Sequence, residues 1–239
     1  MNNGIVYGIG VGPGDSELIT LKAIKIIKKE KNIFIPKSGK FEGGLIRNIV
    51  QKYINPDFQN IVEIDYFGVM NYRGEKWKKV AEKIHSYISI GQNVVYLTLG
   101  DPMVYSTFIY LVEELRKIDE GIKILTVPGI SSFALGCSEF GIPLVKGKEL
   151  ATICYGGVNK ENLKMILNSA DTVVIMKIGK KLKKIMDVLK EERLLDKSYM
   201  LKRAGLDGEY KIDGLENLEI EKLPSDFGNL STIIIRRNS

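Results

Sequence analysis

The sequence predicts an α/β protein of two domains, and three observations carry that prediction. Through residues 1–122, short apolar runs bounded by turn residues alternate with helix-period stretches, the pattern of a mostly parallel sheet with crossover helices. Past Pro128 the alternation breaks, and strand-like runs follow one another with fewer helices between them, as in a mixed or antiparallel sheet. With 239 residues, 44% of them hydrophobic and 27% charged, the chain has the composition of a globular protein and the length for two modest cores. The expected division is 1–122 and 123–239.

Taken in order, strands are expected at 5–9, 32–35, 61–64, 94–99 and 123–127, and helices at 16–30, 42–54, 74–90 and 103–119. Asp15 or Ser16 is placed to cap the first helix, with Glu17 in its first turn and Lys28, Lys29 and Lys31 near its end, as the helix dipole favours. In the third, Trp77, Val80, Ala81, Ile84, Tyr87 and Ile88 recur at helical spacing and form one buried stripe. His85, at the edge of that stripe, reads as structural or surface. The fourth carries Val104, Phe108, Leu111 and Val112. In the second half, strands are expected near 152–155, 171–176, 197–202, 209–212 and 230–236, and helices near 160–168 and 180–192. The "IDGLENL" stretch holds an Asp-Gly pair of the kind that joins antiparallel strands.

Several function classes are disfavoured. No apolar run approaches the ~18 residues of a membrane span, and the N-terminus lacks a basic segment followed by an apolar core. A cytoplasmic protein that does not engage the membrane is the expectation. Cys137, Cys154 and the single histidine, His85, match no zinc spacing, so buried thiols in a reducing compartment and no metal site are expected. The net charge of +6 suits an anionic partner, although lysines also serve simply to solvate a surface. No basic stripe with interleaved aromatics marks a nucleic-acid interface.

The chemistry gathers in three turns. "GIGVGPGD" follows the first strand, and its glycines permit sharp corners and close approach. It does not read as a dinucleotide fingerprint: counted from Gly8 the sixth place is Pro13, and counted from Gly10 it is Asp15. Nor does a Lys-Ser/Thr pair follow, as a phosphate loop requires. Alone, the loop suits a tight connection as well as a ligand site. "LGDPMVYST" repeats the arrangement after the fourth strand, and "VPGISS" after the fifth. Strand ends carrying such turns are where open α/β sheets bind ligands. Three of them on one crevice suit a ligand bearing amide, hydroxyl and carboxylate groups better than a phosphate chain.

The ordered set "GVGPGDSELITLKA" (10–23), "LGDPMVYST" (99–107), "VPGISS" (127–132), "VVIMK" (173–177), "LKRAGLDGE" (201–209) and "GNLSTIIIRR" (228–237) resembles the tetrapyrrole methylase family. These are S-adenosylmethionine-dependent enzymes of cobalamin and sirohaem synthesis. The stretch from "IVEIDYFGVMNYRGEKWKKVAEKI" through "YLTLGDPMVYSTFIYL" is most similar to members that methylate C20 of precorrin-2 or cobalt-factor II. Here "YFGVM" replaces a more usual Phe-Pro-Met stretch.

The resemblance implies a two-domain tetrapyrrole methylase fold with its active site in the interdomain cleft, a homodimer, S-adenosylmethionine as donor with S-adenosylhomocysteine as product, and an anionic tetrapyrrole as substrate. It implies that Pro13, Gly100, Asp101, Val104, Ser131, Ser132, Met176, Ala204, Ser231 and Thr232 hold the donor. Met70, Arg73, Tyr105, Lys146, Lys148 and Arg203 are candidate substrate contacts, the cations because the macrocycle carries many carboxylates. No residue is assigned the removal of the C20 proton. Methylation at C11 or C17, 2′-O-methylation of RNA by the same superfamily, and a nucleotide-binding module remain as alternatives.

Overall fold

The computed structural model of the chain describes residues 3–37, 44–65 and 75–237. It comprises two compact units, residues 1–131 and 132–239. In the first, β1 (Val6–Gly10), β2 (Asn32–Lys37), β3 (Asn60–Asp65), β4 (Val94–Thr98) and β5 (Ile124–Val127) form a sheet of order β3-β2-β4-β1-β5, parallel throughout. The helices are α1 (Leu21–Lys29), α2 (Leu45–Val50), α3 (Glu75–Ile88) and α4 (Phe108–Ile118). A central parallel strand is covered on both faces and therefore reads as an unbroken apolar run. β4, Val-Val-Tyr-Leu-Thr, is buried along its whole length. The α3 stripe of Trp77, Ala81, Ile84 and Ile88 packs with Phe34, Tyr96, Phe108, Leu111 and Leu115 into one core, and His85 stays partly exposed at its edge.

The starts of two helices differ from expectation. Asp15 accepts a hydrogen bond from Glu17 N at 2.8 Å and caps only a short 3-10 turn, 16–18. The chain then extends through Ile19, which is buried, and Thr20 caps α1 by accepting from Ala23 N. Burial of Ile19 outweighs continuity of the helix. α4 begins at Phe108 rather than at 103, because residues 101–107 are consumed by a turn with its own hydrogen bonds, described below. The division between units also falls later than 122/123: β5 pairs in parallel with β1, which carries 124–127 and the following turn into the first unit.

In the second unit, β6 (Ala151–Tyr155), β7 (Thr172–Met176), β8 (Ser198–Lys202), β9 (Tyr210–Asp213) and β10 (Ser231–Arg236) form a sheet of order β6-β7-β10-β8-β9. Only the β6–β7 pairing is parallel, so the sheet is mixed. Helices α6 (Lys160–Ser169) and α7 (Leu182–Glu191) cover the face bearing Val173, Ile175, Ile233 and Ile235. α5 (Ser132–Glu139) lies on the other face over β10 and β8. It was not among the two helices expected for this half, although "VPGISS" leads into it, and it carries Gly136 in its middle. That glycine is a packing position: a Cβ there would come within 2.9 Å of Ile234 Cδ1. The Asp213-Gly214 pair does not close the hairpin. Gly214 (φ +73°) ends β9, and residues 203–209 join β8 to β9.

Arg236 is 5% exposed, and a buried guanidinium is tolerated only with full pairing. Its Nη1 donates to Glu149 Oε2 at 2.7 Å and to Thr172 Oγ1 at 3.0 Å, and Nη2 donates to Glu149 Oε1 at 3.0 Å. Glu149 in turn accepts from Lys146 N at 2.8 Å, so the pair also pins the turn at 146–149. Both cysteines are free thiols; burial pushes Cys154 up to about 11 and raises Cys137 as well.

Two predictions follow from this packing. Gly8 has no room for a side chain, because a Cβ would lie 2.2 Å from the Phe108 ring. Gly8→Ala should cost about 1–3 kcal/mol and lower the melting midpoint by about 2–4 °C per kcal/mol; an unchanged midpoint by calorimetry would show that α4 yields freely. The second concerns acid. The hydrogen bond from Arg236 holds the Glu149 carboxyl below its ordinary value of 4.5. A depressed folded value contributes stability above the unfolded value that is lost as pH falls through the folded one. Glu149→Gln should therefore destabilise at pH 7, with the gap from the parent protein closing below about pH 4; a gap independent of pH would assign the effect to packing alone.

Candidate functional site

In the first unit the three predicted turns meet. Val11 N extends the β1 ladder by donating to Thr98 O at 2.9 Å. Beyond it, Gly12 and Gly100 exchange main-chain hydrogen bonds, at 3.3 Å from Gly12 N and 2.7 Å from Gly100 N. Both have left-handed backbones, φ +82° and +70°, which a side chain would strain. The Gly100 carbonyl is wedged between the other two turns. A Cβ on Gly10 would lie 2.5 Å from its oxygen, and one on Gly129 would lie 2.2 Å from it. On Gly100 itself a Cβ would meet nothing within 4 Å, so open space borders this corner.

Asp101 locks the arrangement. Its Oδ1 accepts from Met103 N at 2.8 Å within its own turn, and its Oδ2 accepts from Gly129 N at 3.0 Å in the third turn. Behind it, Thr98 Oγ1 and Ser106 Oγ lie 2.9 Å apart, Ser106 Oγ accepts from Phe108 N at 3.1 Å, and Tyr96 OH meets Thr107 Oγ1 at 3.2 Å. Val104 and Tyr105 therefore stand in a fixed turn, not on a helix. Tyr105 has φ +46° and is exposed. Pro13 and Ser131 are both buried.

In the second unit the remaining donor candidates lie on or beside one end of the three interior strands, β7, β10 and β8. β10 runs antiparallel to β7 and β8, so its first residues lie beside their last ones. Ile233 pairs with Ile175 and Ser231 with Lys202, which aligns Thr232 between Met176 and Leu201. Ser132, at the start of α5, places its Oγ 2.7 Å from Thr232 Oγ1. Ser231 and Thr232 are each 4% exposed and Ala204 is 5% exposed. Ser231 Oγ donates to Phe227 O at 3.3 Å, so this hydroxyl is already engaged in its own loop.

Lys202 was not singled out from the sequence, although it stands inside the "LKRAGLDGE" motif. Its Nζ donates to Phe227 O at 2.6 Å and to Asn229 O at 3.2 Å, and lies 4.6 Å from the Phe227 ring centroid. Burial holds its ammonium below the usual lysine range. It fastens the loop before β10, as Asp101 fastens the turns of the first unit. A lone lysine in a strand gives no sequence signal of that role, nor does Ser106 in a run of small hydroxyl residues.

The substrate candidates are dispersed. Lys146 and Lys148 are exposed on the turn held by Glu149, whose N donates back to Lys146 O at 3.1 Å. Arg203, with φ +54°, donates from Nε to Asp207 O at 2.6 Å. Met70 and Arg73 lie outside the described residues.

The chain is similar to known proteins along nearly its whole length. The family described as Tetrapyrrole (Corrin/Porphyrin) Methylases matches residues 5–218. The chain is 32% identical to a Methanocaldococcus jannaschii protein named probable cobalt-precorrin-2 C(20)-methyltransferase, over 97% of this chain and 96% of that one. It is 29% identical to the cobalt-precorrin-2 C(20)-methyltransferase of Salmonella typhimurium, covering 87% of this chain and 86% of the relative. Its fold matches a Thermus thermophilus uroporphyrin-III C-methyltransferase solved with S-adenosylhomocysteine, with a TM-score of 0.69 at 22% identity, over 98% of this chain and 97% of that one. The chain belongs to the tetrapyrrole (corrin/porphyrin) methylase family.

Proposed function

We propose that this chain transfers a methyl group from S-adenosylmethionine to C20 of precorrin-2 or its cobalt-containing counterpart, in cobalamin biosynthesis. The observation that carries the reading is the similarity along nearly the whole chain to relatives named for that reaction. The residues fit the donor in one structural respect: open space lies beside Gly100, at a corner built from main chain, where any side chain would intrude. We take Pro13, Gly100, Asp101, Val104 and Ser131 from the first unit, and Ser132, Met176, Ala204, Ser231 and Thr232 from the second, as the donor-binding set. Tyr105, Lys146, Lys148 and Arg203 are proposed for the polyanionic macrocycle, with Met70 and Arg73 from the sequence alone. A homodimer working in the cytoplasm completes the proposal. Among the described residues no helix is long and apolar enough to cross a membrane.

S-adenosylmethionine, when bound, supplies an electrophilic methyl on a positive sulfonium. That charge disperses in the transition state, so strong anions beside it would favour the ground state. Rigid main-chain turns instead restrict donor and acceptor to an in-line approach, and such positioning contributes ~7–11 kcal/mol in favourable cases. The meso carbon of the reduced macrocycle is already nucleophilic, so the chain need only orient it and permit the displaced proton to leave.

Anaerobic incubation with a 13C-methyl donor and either form of the macrocycle should place one label at C20 by carbon NMR. Label at C11 or C17 would assign the chain to another step, and label on ribose 2′-oxygens of ribosomal RNA would replace the reading altogether. Asp101→Ala removes the acceptor shared by Met103 N and Gly129 N. It should weaken S-adenosylhomocysteine binding about tenfold, the equivalent of one charged hydrogen bond; unchanged affinity by calorimetry in a folded variant would remove Asp101 from the set.

A further inference from the structure

On β6, Cys154 faces the core formed with α6 and α7, so its neighbours Ile153 and Tyr155 point to the opposite face, the one that α5 shares. α5 crosses β10 and β8 and leaves Ile153 and Tyr155 38% and 43% exposed. Tyr155 pairs with Met176. The row across this face therefore reads Tyr155, Met176, Thr232, with Ser132 bonded to the last. Tyr155 and Thr232 are two strand spacings apart, roughly 10 Å at the backbone.

The ring of Tyr155 lies against its own turn. Val158 N donates to Tyr155 O at 3.2 Å, closing a turn over 155–158 that brings Gly157 against the hydroxyl end of the ring. A Cβ on Gly157 would lie 2.2 Å from Cε1, 2.6 Å from Cζ and 2.8 Å from the hydroxyl oxygen of Tyr155. The missing side chain is what lets the ring settle there. A half-exposed aromatic ring, met at its hydroxyl end by Gly157 and in line with a thioether and two hydroxyls, offers a shelf for a flat heteroaromatic group. The hydroxyls can bond the sugar or ring nitrogens beyond it.

We propose that Tyr155 is a nucleobase shelf, against which the adenine ring of the methyl donor stacks, with Gly157 as the residue that sets the shelf's height. This rests on the donor reading above. It adds to that reading a residue outside the resembling motifs, and a glycine whose role is to position another side chain.

Calorimetry with S-adenosylhomocysteine and with 5′-methylthioadenosine, which lacks the amino-acid moiety, tests it. Tyr155→Phe keeps the ring and should bind both within about twofold of the parent protein. Tyr155→Ala should lose about 5- to 150-fold for both, the range measured when a base loses an aromatic partner. Gly157→Ala keeps the tyrosine but must displace its ring, and should lose severalfold with an unchanged melting midpoint. Parent-like affinity of Tyr155→Ala for both compounds, or a loss confined to S-adenosylhomocysteine, would overturn the shelf while leaving the donor reading intact. If the parent protein bound neither compound, both readings would fall together.

Discussion

The Gly100 carbonyl occupies the space where side chains at residues 10 and 129 would otherwise stand. Much else in the first unit follows from that one approach of main chain to main chain. It requires glycine on both flanking turns, and it requires a left-handed corner at residue 100 itself. It also brings the Gly129 amide within reach of Asp101, whose two oxygens then tie the second turn to itself and to the third. A carboxylate accepting two amide protons satisfies donors that the tight turns would leave without intrahelical or ladder partners. The three corners are consequently tied to one another as well as to the sheet that carries them.

How much of this could be read from the sequence depended on whether the signal was local. The parallel strands announced themselves because a doubly covered strand such as "VVYLT" is apolar at every position. The α3 stripe announced itself through its period. The turns were legible as turns, since Gly-Pro-Gly-Asp, Gly-Asp-Pro and Pro-Gly have few other conformations open to them. What one turn does to another was not legible, because the contacts that matter join residues far apart in the chain. Asp101 reads as a local helix cap or a ligand, and nothing near it in sequence points to Gly129. The same holds for Thr20: propensity alone carries a helix straight through 16–30, and only the tertiary pull on Ile19 explains why the cap comes five residues after Asp15. In the second unit, nothing local in the sequence ties Gly136 to Ile234, the contact that explains a glycine inside α5. The Asp213-Gly214 pair has hairpin chemistry but is used to end an outer strand.

The two units reach ordered corners by different balances of the same chemistry. The first relies mainly on glycines, with Asp101 as a side-chain tie between turns. The second repeats the glycine approach where a Cβ on Gly228 would lie 2.3 Å from Gly179 O, and adds side-chain ties: Lys202 on the carbonyls of Phe227 and Asn229, Ser231 on Phe227, and Arg236 with Glu149 on the turn at 146–149. These cations are partly or fully withdrawn from water and held to carbonyl or carboxylate oxygens. They are therefore not part of a diffuse basic surface. The excess positive charge that suggested an anionic partner is in part internal fastening, and the exposed Lys146 and Lys148 are the better carriers of that suggestion.

Backbone strain distinguishes corners that end helices from corners that do something else. Among the described residues, left-handed non-glycine conformations occur at Tyr105, Lys177, Arg193, Arg203 and Leu230. Arg193 has an ordinary cause: it follows α7, and Leu194 N returns to Leu189 O at 2.8 Å, as when a helix closes through a left-handed residue. The other four do not close a helix. Each is the immediate neighbour of a proposed donor residue: Val104, Met176, Ala204 and Ser231 in turn. Conformations of this kind cost ~1–3 kcal/mol each and persist only where the surroundings over-determine them. Here that determination is visible, since Arg203 N donates to Leu230 O at 2.8 Å and couples two of the strained corners directly. A chain selected for stability alone could relieve them with glycine, as it does at Gly12 and Gly100. Keeping side chains there implies that the direction each corner gives to its neighbour, or the side chain it presents, is worth more than the strain.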